Sequence, residues 1–229
     1  MGKSCVSVQK GYERWAPTYD RDPNPLLVLE ERQLKLMIPP LVGKRVLDLA
    51  CGTGRWLTWL TEGGARTGVG VDFSAAMLHA AKGKSVVRKA LVQADCGALP
   101  FANAIFDLVV CSFAVGHVLD LLGMACEVGR VAAARADVLV SDLHPLAYAQ
   151  GWRTGFRDDQ GAAEITAWPR SEQESVAAWL LAGFKCIQSA ECRLGEPERP
   201  IFARAGKTHL LEEVCKIPAV LILHFRRAT

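Results

Sequence analysis

The sequence predicts an α/β fold in which a doubly wound sheet of seven strands packs between helices. Two observations carry this prediction: short β-rich segments alternate with longer helical ones, and several of the short segments are almost continuously apolar. A strand that is apolar on both sides is covered on both faces, which is typical of a parallel sheet. Strands that alternate with helices form βαβ units, and repeated units build a doubly wound sheet.

Seven segments have the composition expected of strands. In chain order they are residues 45–50, 67–73, 90–94, 106–113, 137–142, 184–194 and 218–226. The fourth, FDLVVCSF, is almost continuously apolar and is therefore expected to be covered on both faces.

Helices are predicted between these strands. Their ranges are 55–62, 74–82, 117–133 and 171–183, the last of which starts at Ser171 with Glu174 three residues on, as in a capping box. Residues 12–37 are expected to pack as helices over the edge of the sheet, within an N-terminal helical cap of residues 1–40. Residues 144–170 form a connection too long for a simple loop, and we predict an insertion or lid over an acceptor pocket.

The composition indicates one globular domain, residues 1–229. Half of the 229 residues are hydrophobic, 22% are charged and the net charge is +3. Because the basic residues form no stripe, no nucleic acid is indicated as a partner. Neither a signal peptide nor an apolar span of about 20 residues is visible, so we expect a cytoplasmic protein without a membrane partner, monomeric or homodimeric. The eight cysteines contain no C-x-x-C pair, so no metal site is expected.

The strongest motif is VLDLACGTG, residues 46–54. An apolar strand ends in a loop that carries Gly52 and Gly54, and a helix follows. Glycines let the backbone turn sharply and approach a ligand, and a helix N-terminus favours an anionic group. In nicotinamide enzymes a third glycine follows three positions later, but here that position is Leu57. A nucleoside that carries a carboxylate therefore fits better than a dinucleotide.

Two acidic residues end the next two strands. Asp72 closes VGVDF, where a carboxylate accepts hydrogen bonds from ribose hydroxyls. Asp95, in QADCGALPF, lies where a carboxylate can accept an N–H from an adenine amino group.

In this order the motifs resemble those of the class I S-adenosylmethionine-dependent methyltransferases. The similar branch is the small-molecule one (methyltransferase type 11), which includes quinone C-methyltransferases and malonyl-carrier-protein O-methyltransferases. The segments that carry the resemblance are YERWAPTYD, VLDLACGTG, VDFSAAML, ADCGALPF and SDLHP. One segment departs from the family: after Val131 a Pro-Gly-Gly turn is usual, and this chain has AAARAD.

The resemblance implies a Rossmann-like sheet, mostly parallel with one antiparallel strand and helices on both faces. It implies S-adenosyl-L-methionine as the cofactor and methyl transfer by in-line displacement to an O, N or C atom of a small-molecule acceptor. The implied cofactor contacts are Asp48, Ala50, Gly52 and Gly54 at the methionine part, Asp72 at the ribose, Phe73 and Met77 around the adenine, Asp95 and Cys96 at its edge, Ser112 beneath the sulfonium, and Tyr19 at the carboxylate.

Oxygen and carbon nucleophiles usually need a base. The candidates are His144, His117 and Tyr148, all near the predicted carboxyl edge of the sheet. The loop after the fourth strand lacks the Asn/Asp-Pro-Pro-aromatic motif of enzymes that methylate planar amines, which disfavours such acceptors. Two other functions stay open: a non-catalytic S-adenosylmethionine-binding module or partner subunit, and a nicotinamide-dependent oxidoreductase.

Overall fold

The protein was analysed as a computed structural model that describes residues 4–21, 23–84 and 90–228. Its strands are β1 (Ser4–Val6), β2 (Arg45–Leu49), β3 (Thr67–Asp72), β4 (Leu91–Gln93), β5 (Phe106–Ser112), β6 (Ala132–Leu143), β7 (Gly155–Asp158), β8 (Gly161–Ile165), β9 (Phe184–Cys192) and β10 (Val220–Arg227). Its α-helices are α1 (Val8–Trp15), α2 (Pro25–Met37), α3 (Arg55–Glu62), α4 (Ala75–Ala81), α5 (Leu121–Val131), α6 (Pro145–Ala149), α7 (Glu172–Leu181), α8 (Arg199–Arg204) and α9 (Leu211–Val214).

The predicted seven-stranded sheet is confirmed, with the order β4-β3-β2-β5-β6-β10-β9. The first five of these strands are parallel to one another. Strand β10 is antiparallel to both of its neighbours, as the family resemblance implied. The carboxyl ends of β4, β3, β2 and β5 therefore meet along one edge of the sheet.

Each face of the sheet has its own hydrophobic core. Along β5 the side chains of Val109 and Cys111 pack with α5 and α7, where Trp179 is fully buried. Leu108 and Val110 point to the other face and pack with α2 and α3. Strand β5 is thus covered on both sides, which explains why its sequence is apolar without alternation.

The region around α5 differs from the sequence prediction. Residues 117–133 were expected to be one helix, but a short 3₁₀ turn at Val115–His117 ends before α5 begins. Asp120 caps α5, its side chain accepting a hydrogen bond from the Gly123 N–H. The unusual AAARAD segment is the start of β6, and Arg135 adopts a φ of 60° there. Arg135 therefore has the left-handed conformation, although it is not a glycine and glycine adopts that conformation more readily.

The N-terminal segment and residues 144–170 lie outside the series of βαβ units, and they pair with each other in a second sheet. Residues 144–170 contain α6 and the hairpin β7–β8, and β8 pairs in parallel with β1 near the start of the chain. The N-terminal cap therefore contains a strand besides its two predicted helices, and α2 lies against β6, β9 and β10. We call α1 and the sheet β1-β8-β7 the cover.

All eight cysteines have free thiols. Among the residues that the structure describes, no helix has the length and hydrophobicity of a bilayer-spanning segment.

Candidate active site

The loop between β2 and α3 turns through three left-handed residues. Ala50, Gly52 and Gly54 have φ values of 56°, 54° and 76°. At Gly52 a side chain would be strained by this conformation, and its Cβ would also stand 3.2 Å from the Met77 methyl group. The loop therefore keeps its backbone open toward the carboxyl edge, as the glycine motif predicts.

The carboxylate of Asp48 holds this loop from behind. It is 1% exposed and accepts a hydrogen bond of 2.7 Å from the Leu57 N–H, in the first turn of α3. Burial raises the pKa of Asp48 to about 7, although the Leu57 N–H and the charge of Arg55 act in the opposite direction. In this structure the Asp48 side chain thus fixes the start of α3 to the end of β2.

Asp72 lies at the end of β3 beside the glycine loop. One carboxylate oxygen accepts from the Gly52 N–H and the other from the Ser74 N–H, each at 2.8 Å. Burial raises the pKa of Asp72, while these backbone donors act to lower it. Because a carboxylate has about four acceptor positions, these backbone donors leave acceptor capacity for a ligand hydroxyl.

The other predicted cofactor residues follow the same edge. Asp95 is exposed after β4, where it accepts from the Gly97 N–H, and Cys96 beside it has a pKa raised to about 11 by burial. Phe73 is 38% exposed, whereas Met77 is buried beneath the loop. The structure therefore brings these strand-end positions to one edge of the sheet, which we call the cleft.

A buried ionic network beside this cleft was not anticipated from the sequence. Glu30 of α2 is fully buried and accepts from Arg55 (2.8 Å), Trp56 (3.2 Å) and Ser141 (2.7 Å). The same guanidinium donates to the Ser112 hydroxyl at 3.1 Å. The network thus fixes Ser112, at the end of β5, relative to the N-terminal cap. Only the LEERQ charge pattern of α2 hinted at it, and such a pattern usually marks a solvated face.

Aromatic rings of the N-terminal cap lie over the cleft. Trp15 stacks on Phe156 of β7, with ring centroids 5.4 Å apart, and meets the Tyr19 ring edge-on at 4.8 Å. Burial raises the pKa of Tyr19 to about 12, although the Arg55 charge acts to lower it. Tyr19 therefore stays a neutral phenol between the cap and the glycine-loop helix.

A polar contact ties the cap to the glycine loop. The Thr53 hydroxyl donates to Asp20 at 2.7 Å, and the Lys84 ammonium donates to the Thr53 carbonyl at 2.8 Å and pairs with Asp20 at 3.1 Å. The cap, the loop and the end of α4 are thus fastened together.

A cavity of about 210 Å³ lies between the cap and residues 152–155. We call it the aromatic cavity; its walls are Tyr12, Trp15, Tyr19, Asn24, Leu26, Leu27, Phe113, Leu143, Trp152, Arg153, Thr154 and Gly155. Phe113, which follows Ser112, has a φ of 50°. Such strain in a non-glycine residue concentrates at functional sites.

The three candidate bases lie in different environments. His117 is directed at the cap: its Nδ1 donates to the Thr166 carbonyl at 2.8 Å, and its ring meets the Tyr12 ring edge-on. Tyr148 is buried with a hydroxyl that lacks a hydrogen-bond partner among the described residues. His144 has both ring nitrogens engaged, Nδ1 with the Leu146 N–H that it caps and Nε2 with Glu191 of β9. Both ring nitrogens of His144 are therefore occupied in this structure.

Comparisons with known proteins agree with this geometry. A methyltransferase domain matches residues 46–135. The demethylmenaquinone methyltransferase of Clavibacter sepedonicus is 28% identical over 222 residues, which cover 85% of this chain and 89% of the relative. A demethylmenaquinone methyltransferase of Staphylococcus aureus is 39% identical over 93 residues, 39% of each chain.

The fold also matches solved structures. The crystal structure of an S-adenosylmethionine-dependent methyltransferase from Mesorhizobium loti superposes with a TM-score of 0.69 at 23% identity, covering 89% of this chain and 100% of that one.

Proposed function

We propose that this chain, a class I S-adenosylmethionine-dependent methyltransferase, methylates an apolar hydroxylated aromatic ring of the quinol type, at a ring carbon beside a hydroxyl. The observation that carries the proposal is the aromatic cavity, which adjoins the end of β5 and is lined by rings from three separate parts of the chain. The names of the curated relatives, demethylmenaquinone methyltransferases, point to the same class of acceptor.

The size of the cavity suits such a ring. An apolar cavity of about 150 Å³ is known to hold benzene, so about 210 Å³ admits a substituted ring. The polar groups in its wall are few: Asn24, Arg153 and Thr154 are available to bind ring oxygens. An open cavity of this kind favours an enzyme over a non-catalytic binding module, in which the acceptor space would be filled.

The donor set of the cleft fits the cofactor. Asp72 has acceptor capacity left for a ribose hydroxyl, and Gly52 has no side chain to block the approach of the cofactor. Phe73 and Met77 would flank the adenine, with Asp95 and Cys96 at its edge. Arg55 supplies positive charge beside Ser112 and Tyr19, where a methionine carboxylate needs a partner.

When bound, the cofactor supplies a methyl group already activated on a sulfonium. The chain has to align the acceptor carbon with that group and exclude water. Trp15, Phe113 and Trp152 exclude water from the cavity, and their ring faces stabilise the positive charge near the methyl group. His117 and Tyr148 remain the candidates for handling the acceptor's proton, whereas we assign His144 to capping α6.

The test is product formation over a panel of acceptors with the full chain. Reduced naphthoquinones and hydroxybenzenes should release S-adenosylhomocysteine, and aliphatic amines and carboxylic acids should not. Transfer to an amine or a carboxylate alone would contradict the proposal. Tight S-adenosylhomocysteine binding without turnover on any acceptor would favour the binding module.

A further inference from the structure

Arg153 brings a positive charge to the wall of the aromatic cavity. Of the wall residues that the structure describes, Arg153 alone has a side chain that is charged at neutral pH. The phenols of Tyr12, Tyr19 and Tyr148, in or beside that wall, are neutral because burial raises the pKa of each. Arg153 as a whole is exposed although it contributes to the wall. Its guanidinium is therefore placed where the cavity opens to solvent.

Two backbone carbonyl groups hold this guanidinium in place. Its Nη1 donates to the Tyr148 carbonyl at 2.9 Å and to the Trp152 carbonyl at 2.7 Å. The guanidinium carbon also lies 5.9 Å from the centroid of the Tyr148 ring, within reach of a cation–π contact. Because Tyr148 lies in the last turn of α6, these contacts help to cap that helix. They use only one of the three guanidinium nitrogens.

The other edge of the guanidinium has no partner among the described residues. Nε and Nη2 make no hydrogen bond with them, and none of their carboxylates pairs with Arg153. Elsewhere in this chain the same edge binds a carboxylate. Arg14 binds Asp158 through Nε and Nη2 at 2.9 and 2.8 Å. Arg45 binds Asp107 in the same way. Arg153 thus offers an unused pair of donors whose geometry suits an oxyanion.

We propose that Arg153 is an oxyanion subsite of the aromatic cavity, and that the acceptor ring carries an anionic oxygen group that binds to its Nε–Nη2 edge. That group is a carboxylate on the ring or an ionised ring hydroxyl, and both present oxygen acceptors to the two donors. It orients the ring and is not the atom that receives the methyl group. This inference rests on the proposed function, because the acceptor is the same hydroxylated ring.

The surroundings of Arg153 strengthen such a contact. The rings of Trp15 and Trp152 belong to the same wall and exclude water, and a pair of opposite charges attracts more strongly where water is excluded. Because two carbonyl groups already fix Nη1, the side chain loses little freedom when a ligand binds to its other edge. A ring with an anionic group should therefore bind more tightly than a neutral ring of the same size.

The first test compares two rings of the same size and different charge, with no methyl transfer. The full chain, loaded with S-adenosylhomocysteine, is titrated by calorimetry with para-hydroxybenzoate and with para-hydroxybenzamide, in which a neutral amide replaces the carboxylate. If the anionic group is a carboxylate, the wild type should bind the benzoate about tenfold more tightly or better. Arg153→Gln should bind the two rings with nearly equal affinity.

The second test detects an ionised hydroxyl. The same loaded chain binds a nitrophenol, whose absorption band moves when the phenol loses its proton. If the anionic group is the ring hydroxyl, the bound probe should ionise about one pH unit or more below the free probe, because a nearby positive charge favours the anion. In Arg153→Gln the bound probe should ionise at the pH of the free probe.

Two further variants separate the subsite from helix capping and from general surface charge. Arg153→Lys keeps the charge and a donor for the carbonyls of α6 but lacks the paired donors, so it should melt near the wild-type temperature and bind the anion more weakly. Arg157→Gln makes the same change at an exposed arginine of β7 that does not contribute to the cavity wall. It should keep the full preference for the anion.

The outcomes for the subsite and for the proposed function are distinguishable. A wild-type chain that favours neither anion would overturn the subsite, as would a preference that persists in Arg153→Gln. If neutral hydroxylated rings are methylated and no preference depends on Arg153, the proposed function stands and the subsite falls. If the preference depends on Arg153 but no hydroxylated ring is methylated, the proposed acceptor fails and the subsite stands.

Discussion

Substitution of Glu30 tests whether the buried ionic network stabilises the fold more than a surface ion pair does. Glu30→Gln keeps the shape but gives the side chain a donor where it now has an acceptor. The carboxylate serves the Arg55, Trp56 and Ser141 donors, so the amide leaves at least one of them unpaired and removes the counter-charge of Arg55.

The size of the effect follows from these contacts. Each buried donor left unpaired costs about 1–3 kcal/mol, and a buried charge without its partner adds to this. Arg55 is 27% exposed and retains Glu31 at 3.5 Å, which offsets part of the loss. We therefore expect Glu30→Gln to lower the free energy of unfolding by about 2–4 kcal/mol. At about 2–4 °C per kcal/mol for a domain of this size, the Tm should fall by about 4–16 °C.

Urea and thermal denaturation of the purified chain measure this change. Glu31→Gln is the matched control, because Glu31 is the neighbouring carboxylate, is 40% exposed and forms pairs worth at most about 1 kcal/mol. If the two variants melt within about 2 °C of each other, the argument that the network stabilises the site is refuted.

Three further predictions concern the cleft, the far end of the sheet and the cavity. Asp72→Asn should weaken S-adenosylhomocysteine binding at least tenfold by calorimetry, because charge-assisted bonds to hydroxyls contribute about 1.5–3 kcal/mol each; unchanged affinity would place the ribose elsewhere. Burial raises the pKa of Asp137, but hydrogen bonds from His224 and Arg226 outweigh it and hold the pKa below its usual value. Its contribution to stability is thus present above about pH 4 and lost as the pH falls through the lower folded value, so Asp137→Asn should flatten the acid limb of the urea midpoint; an acid limb identical to wild type would contradict this. Trp152→Ala should raise the acceptor's KM about tenfold or more while S-adenosylhomocysteine affinity stays within about twofold, since the ring lines the cavity and not the cleft; a comparable loss of both affinities would contradict that division.

Local sequence patterns predicted the central sheet because they record burial directly. The uninterrupted apolar run of β5 reflects two covered faces, and the glycine loop after β2 reflects backbone angles that few other residues adopt. The positions of Asp72 and Ser112 followed, since parallel strand ends share one edge.

The features that escaped prediction depend on residues far apart in the chain. Glu30 looks like a surface residue of an amphipathic helix until Arg55 and Ser141 are brought to it. The pairing of β1 with β8 has no local signal, because residues 4–6 and 163–165 lie at opposite ends of a long stretch of chain. The contact of His144 with Glu191 of β9 likewise emerges only in three dimensions.

The smaller sheet also constrains the order in which parts of the protein can fold. Residues 4–6 pair with residues 163–165, so during synthesis the first strand waits until most of the chain has emerged. The units β2–α3–β3 and β3–α4–β4 need only near neighbours and can form earlier, because short loops close at lower entropic cost. The cover is therefore expected to close last, and native-state hydrogen exchange should find it to be the first unit to open. Such opening, independent of the central sheet, would widen access to the aromatic cavity, because Tyr12, Trp15 and Gly155 of the cover form part of its wall.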